Sequence, residues 1–340
     1  MRMIALVLVL LVLGMKYFVF AETTKSSLSS TFVLLPGGEG GAGFDDLNFS
    51  SNLHKVLVPG GRTGKLYLID SKTNGISMID GFSIDSHYPG GHGQSITSAD
   101  EGRGFILTAD RDTLRINMLD LQANAAVVTA PLADTPDYVR FIGPTNEVWV
   151  TEPASERIEI FTFLAKPKPA LFHSGFIDVP GGPESLIVDH DRRYAYTHLW
   201  EGQTIAIDLH THAIISQWPN GCKGSRGIAL DEKRGFLFAG CGEGKAVVLD
   251  VKHDGRQLGS ITTGSGVDVI GYNPVLSHLY LSAADSATLS VIGVSNKGKL
   301  SLLATGNAVK GAHCVTGDDQ GNIWVCDPQH GRLLMYKDEF

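Results

Sequence analysis

A period of forty-odd residues constrains this chain more than any other feature. From residue 44 onward, short alternating apolar runs are separated by Gly, Asp and Asn. One run in each unit aligns readily: KLYLID ending at Asp70, RINMLD at Asp120, RIEIFT at Thr162, TIAID at Asp208, AVVLD at Asp250, LSVIG at Gly293 and LLMY at Tyr336. Successive ends lie 50, 42, 46, 42, 43 and 43 residues apart. Alternation with period two marks half-buried strands, and no window of a dozen residues sustains the 3.6-residue period of a helix. Seven such units, each holding about four short strands, predict an all-β, seven-bladed β-propeller with four antiparallel strands per blade.

The run before each of these repeats as well: HKVLVPG, GFILTAD, EVWVTEP, YAYTHLW, FLFAGCG, LYLSAAD and IWVCDP. The last unit reaches Phe340 with only three strands. TFVLLP, from Thr31 to Pro36, is the expected fourth, so an N-terminal strand closes the ring and removes two exposed edges. Gly37 to Gly43, GGEGGAG, then reads as a flexible passage into the first blade. Length alone suggests about two domains, but the repeat makes residues 31–340 a single propeller domain. Glycine fits this: 40 of 340 residues exceed the roughly 7% average. Many fall at blade lead-ins such as Gly182, Gly224, Gly266 and Gly311, or in hairpin turns such as Gly235 and Gly321, where tight reversals favour a residue without Cβ.

Residues 1–21 are expected to be a cleavable signal peptide rather than the alternative, an uncleaved anchor, since Lys16 interrupts the apolar run. Arg2 gives a positive start, Ile4 to Leu13 is unbroken apolar chain, and Val19-Phe20-Ala21 precedes Glu22 as a cleavage position. The expected location is periplasmic or secreted, with no membrane span after cleavage. Losing Arg2 and Lys16 leaves 26 basic against 36 acidic groups and moves the formal charge from −8 to −10. Nucleic acid is thereby disfavoured as a partner, because phosphate contacts need clustered Lys and Arg.

Export favours disulfides for an even cysteine count. Folding the hairpin about residue 320 places Cys314 directly opposite Cys326. Cys222, in a lead-in, and Cys241, just past the second strand of the next hairpin, form the second expected pair. A bridge closing so short a loop stabilises by roughly 2 to 3 kcal/mol. Four buried free thiols, or metal ligation, are the alternatives.

Units such as GPESLIVDHDRRYAYTHLWEGQTIAIDL, SRGIALDEKRGFLFAGCGEGKAVVLDV and HCVTGDDQGNIWVCDPQHGRLLMY resemble the repeats of the YVTN-type, YncE-like seven-bladed propellers of exported bacterial proteins. The resemblance covers residues 31–340. It departs from the name-giving tetrapeptide, since the equivalent runs here read VWVTE, AYTHL and WVCDP. It implies a fold shared by binding proteins, lactonases, lyases and cofactor-carrying oxidoreductases, so activity must be argued from the site.

In a propeller, the lead-in to each innermost strand and the turn between second and third strands share one face around the axial channel. The seven lead-ins GFDDL, GHGQS, TPDYV, GPESL, GSRGI, GVDVI and AHCVT put a polar ring at the mouth: Asp45, Gln94, Asp137, Glu184, Arg226, Asp268 and His313. The turns add Asp110, Arg111, Glu152, His198, Trp200, Glu243, Asp285, Asp327 and His330. Carboxylates and imidazoles together suit a cation or a divalent metal. Glu184, His198, His313 and Asp137 are the chemically capable subset. The bland readings are local: His198 caps the turn before Trp200, and Glu184 pairs with Arg226 one blade on. His190, His210, His212, His253 and His278 fall in connections or outer strands and are expected at the surface.

Haem and nucleotide cofactors are excluded by the lack of CxxCH, Walker and dinucleotide glycine patterns, and HExxH and GxSxG are missing too. The expectation is a noncatalytic, monomeric, exported scaffold that binds a small molecule or protein at its charged mouth. The alternative is a metal-assisted lactonase or lyase acting in the axial pocket, for which the resemblance to propeller enzymes of that kind is the precedent.

Overall fold

The computed structural model describes residues 26–340, and the expected signal peptide at residues 1–21 lies outside them. Seven sheets follow one another in chain order. Blade one spans residues 48–80, blade two 96–131, blade three 139–178, blade four 187–219, blade five 225–262 and blade six 267–307. Blade seven combines residues 315–337 with the N-terminal strand Ser30–Leu34. Four antiparallel strands build each blade, as the repeat predicts. Helix is confined among the described residues to two single turns, Pro153–Ser155 and Pro328–His330.

Burial along each blade explains the sequence pattern. Second strands are sandwiched between neighbouring blades, so Phe236–Cys241 and Asn322–Asp327 are buried at every residue, and such strands read as continuous apolar runs. Outer strands face solvent on one side, and Ile214–Pro219 alternates accordingly. The core is therefore distributed between blades. At the seam of blades seven and one, Phe44, Tyr67, Trp324, Cys314 and Cys326 pack in one buried cluster.

Ring closure uses two strands. β1 (Ser26–Leu28) lies parallel to Leu300–Asn307, adding a fifth strand to blade six, which the repeat does not foreshadow. β2 (Ser30–Leu34) pairs antiparallel with Arg332–Lys337, with Ser30 opposite Tyr336 and Leu34 opposite Arg332. The seam admits no side chain where Gly38 passes Gly331. A Cβ on Gly331 would lie 1.8 Å from the Gly38 carbonyl oxygen, and Gly331 itself sits at φ +57°. The Gly37 to Gly43 segment, expected to be flexible, is pinned: Arg62 donates to the carbonyls of Gly41 and Glu39, each at 2.6 Å, and Ala42 and Phe44 are fully buried.

Both expected disulfides form. Cys314 and Cys326 face each other with Cα atoms 5.6 Å apart, and the Cys326 amide donates to the Cys314 carbonyl at 3.1 Å. Cys222 bridges to Cys241, the last residue of its strand rather than the one beyond it. No helix among the described residues is long and apolar enough to cross a membrane.

Candidate functional site

Six of the seven lead-in residues gather at one end of the axial channel. Backbone irregularity aims two of them. The register of blade five slips between Ser225 and Ile228, and that of blade six between Val267 and Ile270, so Arg226 and Asp268 are bulged residues. A bulge re-aims its side chain away from the ladder, here into the mouth. Asp45, Asp137, Glu184 and His313 sit just before the inner strands of their blades, where the chain turns in from the rim.

Arg111 is the hub of one side. Its guanidinium bonds Asp137 and reaches Asp45 at 3.2 Å, while Nε donates to the Pro136 carbonyl at 2.9 Å and Nη1 to that of His92 at 3.1 Å. His92 bonds Asp45 through Nδ1 at 2.9 Å. The Asp45 charge raises the imidazole pKa to about 9. Burial opposes ionisation of Asp45, but His92 and Arg111 outweigh it and hold the carboxyl at about 2. Burial pushes Asp137 up to about 7 against the pull of Arg111.

The other side pairs its charges loosely. Glu184 accepts a hydrogen bond from the Trp200 indole and makes no ion pair among the described residues. Burial, together with the charges of Asp137 and Asp268, raises its pKa to about 9. Arg226 touches Asp268 only at 3.4 Å and stacks its guanidinium over Trp200, 4.3 Å from the ring centre. A cleft of about 610 Å³ is lined by Trp200, Arg226 and Asp268, with His92, His313, Tyr88 and Lys223 also on its wall. The expected pairing of Glu184 with Arg226 is not made; the indole lies between their roles.

Gln94 and His198 are placed elsewhere. Gln94 is drawn aside to Asp85 at 2.5 Å, and the position matching Arg226 and Asp268 in blade two is Thr97, at a slip between Ile96 and Ser98. His92, two residues before Gln94, takes the mouth position instead. His198 is fully buried inside the blades, with Nδ1 2.9 Å from Thr204 Oγ1 and Nε2 3.3 Å from the Phe238 carbonyl oxygen. Desolvation lowers its pKa to about 4, so it is a neutral packing residue.

Most turn acids hold their own turns. Asp110 accepts from Ser83 and from the amides of Asp112 and Thr113. Glu152 binds Arg157 at 2.6 Å, and Asp327 binds Arg332 at 2.8 Å and His330 at 2.8 Å. Glu243 accepts the amides of Lys223 and Gly224. Asp285 lies on the wall of the cleft.

A divalent ion fits these donors poorly. Asp45, His92 and His313 each bring one ligand atom within 4.8 Å of the others, yet all three are engaged. Asp45 carries Arg111 and His92, and His313 turns Nδ1 to the Gly311 carbonyl at 2.7 Å and Nε2 to that of Phe44 at 2.8 Å. An ion there would meet a guanidinium on the same carboxylate oxygen. His313, Cys314 and Cys326 also converge, but both sulfurs are spent in a disulfide.

Beyond the mouth, the channel changes character. Asp46 turns the opposite way from Asp45 and takes Arg140 in two parallel bonds, of 2.6 and 3.0 Å, with Ser98 Oγ at 2.6 Å. Sequence reasoning did not single out Asp46, Arg140 or Asp100. The doubled Asp in GFDDL was their one available signal, because successive residues of an extended chain face opposite ways.

No protein-family model matches the chain, and no curated protein matches it. Solved structures do. A chain of the mitotic checkpoint complex superposes with a TM-score of 0.72 at 12% identity, covering 99% of both chains. The Cps50 (Swd1) β-propeller domain of Myceliophteria thermophila gives 0.71 at 11% identity, over 91% of this chain and 99% of that one. Hydrazine synthase of Kuenenia stuttgartiensis gives 0.68 at 9%, over 95% and 99%. At these identities the likeness is one of fold alone.

Proposed function

We propose that this chain is an exported, YncE-like propeller, with residues 1–21 as its signal peptide and residues 31–340 as one monomeric domain. It binds a small cationic ligand at the polar mouth without turning it over. One observation carries the reading: Glu184, half-buried at the mouth, makes no ion pair among the described residues and is left to an indole. Arg226 lies over Trp200 and only loosely against Asp268, which is how a ligand cation would sit between an aromatic face and a carboxylate. Two disulfides support the exported location. The alternative, a metal-assisted lactonase or lyase, draws nothing from Asp45, His92 and His313, whose donors are engaged.

Titration calorimetry with putrescine, a short diamine without an apolar tail, tests this. Binding is expected to strengthen from pH 6 to pH 9, as Glu184 and Asp137 give up their protons, and to be lost in Glu184→Gln and Asp268→Asn. Hydrolysis of a lactone panel that disappears in Glu184→Gln would overturn the noncatalytic reading.

A further inference from the structure

The far half of the channel is a second cavity, of about 480 Å³, within the range of roughly 300 to 1,000 Å³ typical of small-molecule sites. It shares no lining residue with the polar cleft. Inner strands of blades three to six furnish an apolar wall that includes Phe141, Ile187, Ile228 and Val269. That wall continues to the rim at Val275, which is 88% exposed in the turn after the inner strand of blade six.

Charge at the inner end is unbalanced. Arg140 is committed to Asp46. Asp100 lines the same cavity, accepts the Phe141 amide at 2.8 Å and the Asn48 side chain at 3.3 Å, and has no cation within ion-pair distance among the described residues. Burial pushes its carboxyl up to about 6, with Arg140 holding it back. With the guanidinium committed to Asp46, Asp100 is left without an ion-pair partner at the end of a hydrocarbon-lined passage. Polar contacts at the rim do not alter this, since Asp319 is paired with His54 and Asp318 with Trp324 and Asn322.

We propose that this cavity is a ligand site for a small amphiphilic amine, whose ammonium meets Asp100 and whose hydrocarbon body lies along the apolar wall toward Val275. An anionic amphiphile is disfavoured by the carboxylate pair, and a short polar cation leaves the wall in contact with water. The site is separate from the polar mouth, and neither reading depends on the other.

Calorimetry with octylammonium, octanol and octanoate decides the matter on the intact protein. Octylammonium is expected to bind with one-to-one stoichiometry, and octanol and octanoate about tenfold or more weaker, the scale of a lost charged hydrogen bond. Asp100→Asn, close to isosteric, should cost octylammonium at least about tenfold. Val275→Lys, at an exposed position with little bearing on folding, should weaken it as well by placing a like charge at the rim. Glu184→Gln should leave it unchanged. Equal binding of octanoate, or wild-type affinity in both Asp100→Asn and Val275→Lys, overturns the proposal. Loss in Glu184→Gln with retention in Asp100→Asn moves the amine to the polar mouth and overturns it too.

Discussion

At one end of the channel, Asp46 and Arg140 meet through two parallel hydrogen bonds; at the other, Arg111 is divided between Asp45 and Asp137, and Glu184 holds only an indole N–H. Asp45 and Asp46 are consecutive, yet they serve opposite ends because adjacent side chains of an extended segment point to opposite sides. The matched pair ties the lead-in of blade one to the inner strand of blade three, past Ser98 of blade two. The unmatched end leaves Glu184, its pKa raised to about 9 by burial and neighbouring carboxylates, able to ionise toward a cation. Pairing that closes on itself reads as structure, and a surplus of one sign facing a cleft reads as a place for something else.

If that contrast is sound, breaking the matched pair should cost most. Arg140→Ala leaves Asp46 buried with Ser98 as its remaining side-chain partner and strips Asp100 of the nearest positive charge. Removing one member of a buried pair costs about 3 to 5 kcal/mol, so urea unfolding should show a clearly lower midpoint with an unchanged slope. A loss below about 1 kcal/mol would place Arg140 among ordinary surface ions and erase the distinction between the two ends.

The next largest effects are in pH dependence, and the two ends should differ in window. His92 titrates near 6.5 when unfolded and at about 9 when folded, so its contribution is full below pH 6.5 and fades as pH rises to 9. Glu184 moves from 4.5 to about 9, so the folded chain holds a proton the unfolded chain releases, and stability falls across that interval as pH rises. His92→Asn should therefore destabilise at pH 6 and hardly at all above pH 9, whereas Glu184→Gln should stabilise increasingly from pH 5 to 9. At the apolar end Asp100 moves from 3.8 to about 6, so any gain from Asp100→Asn should be complete by about pH 6. Thermal melts of the three variants across pH 4 to 10 give these profiles. Coincident windows for Glu184→Gln and Asp100→Asn would merge the two ends.

The fold was legible because a blade repeats: each third run, from Lys65–Asp70 to Arg332–Lys337, is a strand where the spacing places it. The disulfide of Cys314 and Cys326 was legible because hairpin register follows from the turn. Asp45, Asp137, Glu184, Asp268 and His313 were reachable as lead-in residues. Gln94 was not, because bulges leave no mark in linear spacing and blade two slips at Thr97. His198 and His278 misled for another reason. Burial of a polar ring depends on a distant partner, Phe238 for the first and Asp338, at 2.8 Å, for the second. Arg140 stayed hidden likewise, since its carboxylate lies two blades away.

The smallest effect is the sharpest probe of the polar end. Arg226 is a third exposed at its side chain, 3.4 Å from Asp268, and rests on an indole that is itself 44% exposed. An ion pair this loose contributes at most about 1 kcal/mol, so Arg226→Ala should shift the urea midpoint only slightly, in contrast with Arg140→Ala. The same change bares the Trp200 face and frees Asp268. If Arg226 occupies the place of a ligand cation, putrescine should bind Arg226→Ala at least as tightly as wild type, with a larger change in Trp fluorescence on binding. Weaker binding in that variant would instead make the guanidinium part of the ligand's own contacts, and the unpaired charge at the mouth would belong to Glu184 alone.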